Sequence, residues 1–353
     1  MSDSADLKPA LAALIAGHDL TEAEMQDAVG GILDGHATEA QIGAFLAALT
    51  VKKPAPTELV AAVRAMRSRS LRVECDGPLL DTCGTGGDRL GTFNVSTAVS
   101  FVAAAAGVRV AKQGNRAASG KVGAADVLEA LGARIELNPE QAQAALEEIG
   151  IVFLFAPAYH PALRRMAGPR RELGFPTLFN LLGPLCNPAR ADHQLLGVFD
   201  RQRLDMIADA LMQLGSRRAL VVNGHGGADE MLPTGPAEIV EVSVAEAAGD
   251  AGRWNKKRYT LDPESLGIDR CDQSELDGGD AANSARIVRE ALEGRSGPAA
   301  ETVALNAGAA LYAANAAPSI ADGVTAARVL MNAGAPAAKL DEFVAFTRCE
   351  VKS

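Results

Sequence analysis

A two-part α/β fold, with a small N-terminal helical subdomain and a larger α/β domain on a mostly parallel central sheet, follows from three features of the sequence. Helical periodicity with capping signals occupies the first 74 residues. From Pro78 onward, short apolar runs alternate with helical segments, and glycine clusters mark the ends of several runs. Strand–helix alternation of this kind makes neighbouring strands parallel, because each crossover helix carries the chain back to the same end of the sheet. The expected division is 1–74 for the helical subdomain and 75–165 with 192–353 for the α/β domain. Residues 166–191, rich in helix and proline turns, are a candidate segment for rejoining the helices.

Each element has a local cause. Leu11, Leu14 and Ile15 begin one amphipathic pattern, while Thr21 with Glu24 and Thr38 with Gln41 have capping-box spacing. Thr57 after Pro56 opens a fourth helix through Val60, Val63 and Met66. Leu79 to Cys83 reads as a strand ending in a glycine loop, followed by a helix from Asn94 and a strand at Val108–Ala111. A helix from Gly123 to Leu131 comes next, then one with Pro139 in its first turn after Asn138. Ile151–Phe155, Gln194–Phe199 and Ala219–Asn223 are the remaining expected strands, the last two separated by a helix over Gln202–Leu214. From Ser284 the pattern is helical to the end.

Composition narrows the function. Of 353 residues, 48% are apolar, enough for a buried core, and the formal net charge is -10. With 4% aromatic residues and no global positive charge, the chain lacks the stripe and stacking platforms of a nucleic-acid binder. Its five cysteines are scattered without a CxxC, which points away from disulfides and zinc and toward a reducing compartment. No leader pattern or membrane-length apolar run is read, so a cytoplasmic protein is expected.

Three stretches carry chemistry. Gly84-Thr85-Gly86-Gly87-Asp88 lies between an expected strand and a helix, where glycines let backbone N–H groups approach an anion. A tight turn alone would also explain such a cluster. The spacing is not GxGxxG, and Gly114 to Lys121 has five residues where a Walker loop has four. Between Asp88 and Asp126 no acid occurs, yet Arg89, Arg109, Lys112, Arg116 and Lys121 do; the acid-free run from Ile149 to Arg171 holds Arg164, Arg165, Arg170 and Arg171. In an acidic chain, such gaps favour small-anion sites. Asp229-Glu230, after Asn223-Gly224-His225-Gly226-Gly227-Ala228, could turn two carboxylates toward a hard cation or form a solvated turn.

Several long motifs in register resemble the anthranilate phosphoribosyltransferase family. They are Asp81-Thr82-Cys83-Gly84-Thr85-Gly86-Gly87-Asp88 with Asn94-Val95-Ser96-Thr97, Lys112-Gln113-Gly114-Asn115-Arg116, and Ala125 to Gly132. Phe153 to Ala162, Asn180 to Pro188, Gly278 to Ala281 and Leu305 to Tyr312 extend the likeness over most of the chain. The resemblance implies a nucleoside phosphorylase/phosphoribosyltransferase-like fold. The implied reaction moves a phosphoribosyl group from phosphoribosyl pyrophosphate (PRPP) to the amine of anthranilate, in tryptophan biosynthesis.

Site roles implied by the resemblance fall on matching positions. Gly84, Gly87, Asp88, Thr92, Asn94, Ser96, Thr97, Lys112, Gly114, Asn115, Arg116, Ser119 and Gly120 would bind PRPP, with Lys112 and Asp88 stabilising charge in the reaction. Gly84, Asn115, His160 and Arg170 would face anthranilate, and Ser96, Asp229 and Glu230 would associate with Mg²⁺. A homodimer through the helical subdomain is also implied, with neither nucleic acid nor membrane as a partner. Four departures from the family pattern stand out: Gln113 where His is usual, Ala124 for Ser, Pro176 for Arg, and the pair Asn223 and Ala228 before the carboxylates. These departures keep a different aromatic amine acceptor open. A pyrimidine nucleoside phosphorylase-like activity on the same fold is the other enzymatic alternative; a non-catalytic nucleic-acid-binding relative fits the charge poorly.

Overall fold

The first four helices begin where their caps dictate. In the computed structural model, which describes residues 6–117, 122–244 and 254–349, these are α1 (Leu7–Ile15), α2 (Glu22–Asp34), α3 (Glu39–Lys52) and α4 (Pro56–Arg67). Thr21 with Glu24 and Thr38 with Gln41 form full capping boxes. The fourth helix starts one residue before the expected Thr57: Pro56 occupies its first turn, where a missing N–H costs nothing. Glu58, fully buried, ties the helix links together by accepting from the amides of Leu20 and Ala55 and from Lys52 Nζ.

Residues Met1–Arg72 and Ala156–Pro188 make one unit; Val73–Phe155 and Ala189–Ser353 make the other. The chain rejoins the helices at Ala156, ten residues before the 166 expected, because helix Ala156–Tyr159 follows the strand ending at Phe155 without a loop. Helix Arg164–Leu173 in this segment packs against α3 and α2.

The larger unit is a seven-stranded sheet in the order β3-β2-β1-β4-β5-β6-β7. Along the chain, β1 (Leu80–Gly84) is followed by α5 (Val95–Ala105), β2 (Val110–Gly114), α6 (Ala124–Ala130) and β3 (Ile151–Phe155). Then come β4 (His193–Gly197), β5 (Arg218–Asn223), β6 (Ala237–Val244) and β7 (Trp254–Leu261). Strands β1 to β5 are parallel and buried along nearly their whole length, as helices on both faces require. β6 and β7 add an antiparallel hairpin that the sequence reading did not foresee. β7 is mostly exposed and carries Lys256, Lys257 and Arg258, so it lacks an apolar run; charge on an edge strand also discourages pairing with other chains.

This strand order positions the site. The chain steps outward from β1 to β2 to β3, then returns to the other side of β1 with β4. In open α/β sheets, ligands bind at the carboxyl ends of the strands where the order reverses. Here that point lies between the ends of β1 and β4, at Gly84 and Gly197, which are partners in the register. Among the described residues no helix is long and apolar enough to cross a membrane.

Candidate active site

Two loops meet at this switch point. The loop after β1 passes through Gly86 and Gly87 with φ of 65° and 90°, a left-handed backbone that glycine adopts without strain. The loop after β5 brings Asp229 across the ends of β1 and β4. The amide of Gly86 donates to Asp229 Oδ2 at 2.7 Å. A Cβ on Gly84 would stand 2.2 Å from that same oxygen, and one on Gly197 only 1.4 Å from the backbone oxygen of Asp229. Gly197 must therefore be glycine for the acidic loop to lie where it does, and a side chain at Gly84 would displace the Asp229 carboxylate.

One oxygen each of Asp88, Asp229 and Glu230 fall within 4.8 Å of one another. The three side chains retain partial contact with solvent, but surrounding protein strips much of their hydration. Burial, followed by the charge of Asp88, pushes Asp229 up to about 7. Burial and then the charge of Asp229 raise Glu230 well above the ordinary carboxylate range. A cluster that resists full ionisation is suited to a cation. An all-oxygen carboxylate set with room for other ligands fits Mg²⁺, which prefers a few carboxylates with phosphate oxygens and water.

Beside the acids sits a buried cation. Lys112, on β2, donates from Nζ to the Thr82 carbonyl at 2.5 Å and to Ser96 Oγ at 3.0 Å. Burial lowers its pKa, and the nearby charge of Asp81 opposes that shift. Thr82 Oγ1 in turn donates to the Ser96 carbonyl at 3.0 Å, locking the start of α5 to β1. Ser96, expected near the metal, thus spends its hydroxyl as acceptor for Lys112. The fully buried Thr97 hydroxyl donates to Asn94 Oδ1, and the Asn94 amide donates to Ser284 Oγ at 3.0 Å. Thr92 is bridged to Asp277 and its hydroxyl accepts from Gln273 Nε2 at 3.1 Å.

The residues at the end of β2 and just after it are engaged with their own neighbours. Gly114 lies under the Phe153 ring, 2.5 Å from where a Cβ would sit. Asn115 is exposed, with Oδ1 capping the amide of Arg116 at 2.7 Å. Arg116 does not point a free guanidinium at a phosphate; it pairs with Asp126 and Glu129 at 2.9 and 2.5 Å. The acid-free gap in sequence concealed this, because Asp126 lies in the first turn of the very next helix. Ser119 and Gly120, with Lys121, lie outside the described residues.

His160 and Arg170 belong to the helical unit. His160 is buried, its Nε2–H donating to the Cys186 carbonyl at 3.0 Å, and burial lowers it to about 4. It is a neutral imidazole held by the backbone. Arg170 is partly buried, with its pKa lowered by burial, and no carboxylate pairs with it among the described residues. A half-desolvated guanidinium without a counter-ion is well suited to an incoming carboxylate.

One contributor was expected in a different role, and two had no role assigned from the sequence. Asp88 was expected to meet pyrophosphate, and the structure groups it with Asp229 and Glu230. Gly197 makes room for the acidic loop; its signal was a glycine ending an apolar strand, a close-approach cue. Asn223 holds that loop's stem by donating from Nδ2 to the carbonyls of Val198 and Phe199 at 2.7 and 3.1 Å.

Fold and site define a glycosyl transferase. A family model described as "Glycosyl transferase family, a/b domain" matches residues 76–337, and one described as "Glycosyl transferase family, helical bundle domain" matches residues 8–70. An anthranilate phosphoribosyltransferase of Alkalilimnicola ehrlichii is 47% identical, over 97% of this chain and 99% of that protein. A crystal structure of anthranilate phosphoribosyltransferase from Thermus thermophilus is 43% identical, with a TM-score of 0.88 over 96% of this chain and 99% of that one. The Saccharomyces cerevisiae enzyme, solved in complex with PRPP and Mg, is 25% identical with a TM-score of 0.86, over 97% of both chains. The chain belongs to the anthranilate phosphoribosyltransferase family.

Proposed function

We propose that the protein transfers the phosphoribosyl group of PRPP to the amine of anthranilate, giving N-(5-phosphoribosyl)anthranilate and pyrophosphate in tryptophan biosynthesis. The observation that carries this reading is the meeting of the Gly86 amide with the carboxylates of Asp88, Asp229 and Glu230 at the strand-order reversal. A donor whose leaving group is pyrophosphate requires both backbone donors and a cation there.

Asp88, Asp229 and Glu230 would hold Mg²⁺, which neutralises negative charge on the pyrophosphate when bound. The Gly86–Gly87 backbone lines the place for the pyrophosphate, and Lys112 supplies a fixed positive charge behind it. As the bond from ribose C1 to the pyrophosphate oxygen lengthens, negative charge grows on the departing oxygens. Donors already in place stabilise that charge without reorganising. The anthranilate nitrogen attacks C1 as a neutral amine, so no strong general base is needed, and its surplus proton passes to solvent or to the departing pyrophosphate. Arg170 pairs with the anthranilate carboxylate and so orients the amine. The buried, neutral His160 is suited to shaping the acceptor's surroundings rather than to moving a proton. Assembly of the protein as a homodimer through the helical unit, and a cytoplasmic location, are part of the same proposal.

Anthranilate fluorescence provides the test. The signal is expected to fall when protein, PRPP and Mg²⁺ are all present, and to persist when any one is omitted. A constant signal under those conditions, alongside turnover of a different aromatic amine, would reject anthranilate as acceptor.

A further inference from the structure

Asn306 lies in the middle of helix Pro298–Ala313 on a largely apolar buried stretch, and is 2% exposed. A buried amide is costly unless its donors and acceptors are paired. Here both its hydrogens and its oxygen are used. Nδ2 donates to the Met231 carbonyl at 2.7 Å and to the Thr302 carbonyl of its own helix at 2.9 Å. Oδ1 accepts from the Met231 amide at 3.1 Å. The side chain therefore reads both polar groups of a single residue, as a neighbouring strand would, and that residue directly follows Glu230.

We propose that Asn306 is a positioning residue that holds Glu230 beside Asp88 and Asp229 for divalent-cation binding. Three carboxylates within 4.8 Å repel one another and will separate unless the backbone carrying them is fixed. On one side the Gly86 amide anchors Asp229. On the other side the clamp on Met231 fixes the backbone next to Glu230, from a helix 75 residues away in sequence. Helix Pro298–Ala313 is in turn fixed by close packing: a Cβ on its Gly308 would lie 2.5 Å from the Val324 nitrogen. The clamp is thus rigid at its base.

The inference rests on the Mg²⁺ role proposed above, and calorimetric titration of PRPP at stepped Mg²⁺ concentrations separates the two. For Asn306→Ala and Asn306→Leu, the Mg²⁺ concentration giving half of the maximal PRPP affinity is expected to rise about tenfold or more, as for other groups that orient metal ligands. At saturating Mg²⁺ their PRPP affinity should return to the wild-type value. Asn306→Asp, which keeps the acceptor and loses the donors, should fall between. Leu311→Ala, buried five residues further along the same helix and making none of the clamp's hydrogen bonds, reports general destabilisation and should leave the Mg²⁺ dependence unchanged. Equal Mg²⁺ dependence in the Asn306 variants and wild type, or an equal shift in Leu311→Ala, overturns the positioning role and leaves the proposed function intact. PRPP binding by the wild type that ignores Mg²⁺ overturns the metal role, and the inference falls with it.

Discussion

The backbone amide of Gly86 donates to Asp229 Oδ2 at 2.7 Å across 143 residues of sequence. This one bond joins the loop after β1 to the loop after β5, and it sets the left-handed glycine turn beside a group of three carboxylates. It is this juxtaposition that the Mg²⁺ and pyrophosphate roles proposed above would draw on.

Glycine at the end of β4 should be indispensable for that arrangement. Gly197→Ala places a Cβ 1.4 Å from the Asp229 backbone oxygen, so the acidic loop must move. Urea unfolding should show a loss of about 3 kcal/mol, the upper range for overpacking a core, together with weaker Mg²⁺ dependence of PRPP binding. Gly86→Ala meets no atom within 4 Å and should lose only about 1 kcal/mol, from its positive φ. A Gly197→Ala protein as stable as wild type would contradict the close approach.

Removal of metal should make stability depend on pH through Asp229. Its ordinary value of 3.8 is raised to about 7, so between those values the folded protein binds more protons than the unfolded chain. Stability from this group is therefore present at low pH and is lost as pH rises toward 7, levelling off above it. His160 acts oppositely: lowered from 6.5 to about 4, it destabilises the fold at low pH and ceases to do so above 6.5. Comparing Asp229→Asn with wild type in chelator isolates the first effect. The stability gain from the substitution should grow from pH 5 to 7. A gain that is flat over this range would refute the raised pKa.

Lys112 should matter to catalysis beyond its cost to folding. Removing one member of a buried charged group leaves the others, here Asp81, uncompensated at a cost of about 3–5 kcal/mol. Lys112→Met is therefore expected to lower the urea midpoint, and among the molecules that remain folded kcat should fall about a hundredfold, the scale for removing one group that stabilises developing negative charge. An unchanged kcat per folded molecule would reassign Lys112 to structure.

Arg170 lacks a carboxylate partner among the described residues, as its proposed pairing with the acceptor carboxylate requires. Arg170→Ala should raise KM for anthranilate about ten- to a hundredfold, the loss of a charge-assisted hydrogen-bonded pair, with KM for PRPP unchanged. Arg170→Lys should restore only part of it, because an ammonium cannot make the paired, planar contact. Equal effects on both substrates would remove Arg170 from the acceptor side.

Local physics made much of this protein legible from its residues alone. Thr21 with Glu24, Thr38 with Gln41 and Asn138 with Gln141 cap helices within four residues of themselves, so their spacing suffices. Gly84 to Asp88 after an apolar run likewise announced a loop with an exposed backbone. β7 stayed hidden because its stability comes from pairing with β6 rather than from apolar side chains. Arg116 was misleading in the same way: its counter-ions Asp126 and Glu129 lie across a loop and beyond the acid-free stretch.

Sequence by itself determined the helical and α/β parts, the glycine loop and the types of group available for phosphate and metal. Only the tertiary structure decided that Asp88 joins Asp229 and Glu230, that Gly197 must lack a side chain, and that Asn306 grips the peptide after the acids. The physical reason is range. Caps and turns are satisfied by neighbours in the chain, whereas the repulsion among three carboxylates is contained by groups that the sheet and its helices bring together from distant parts of it.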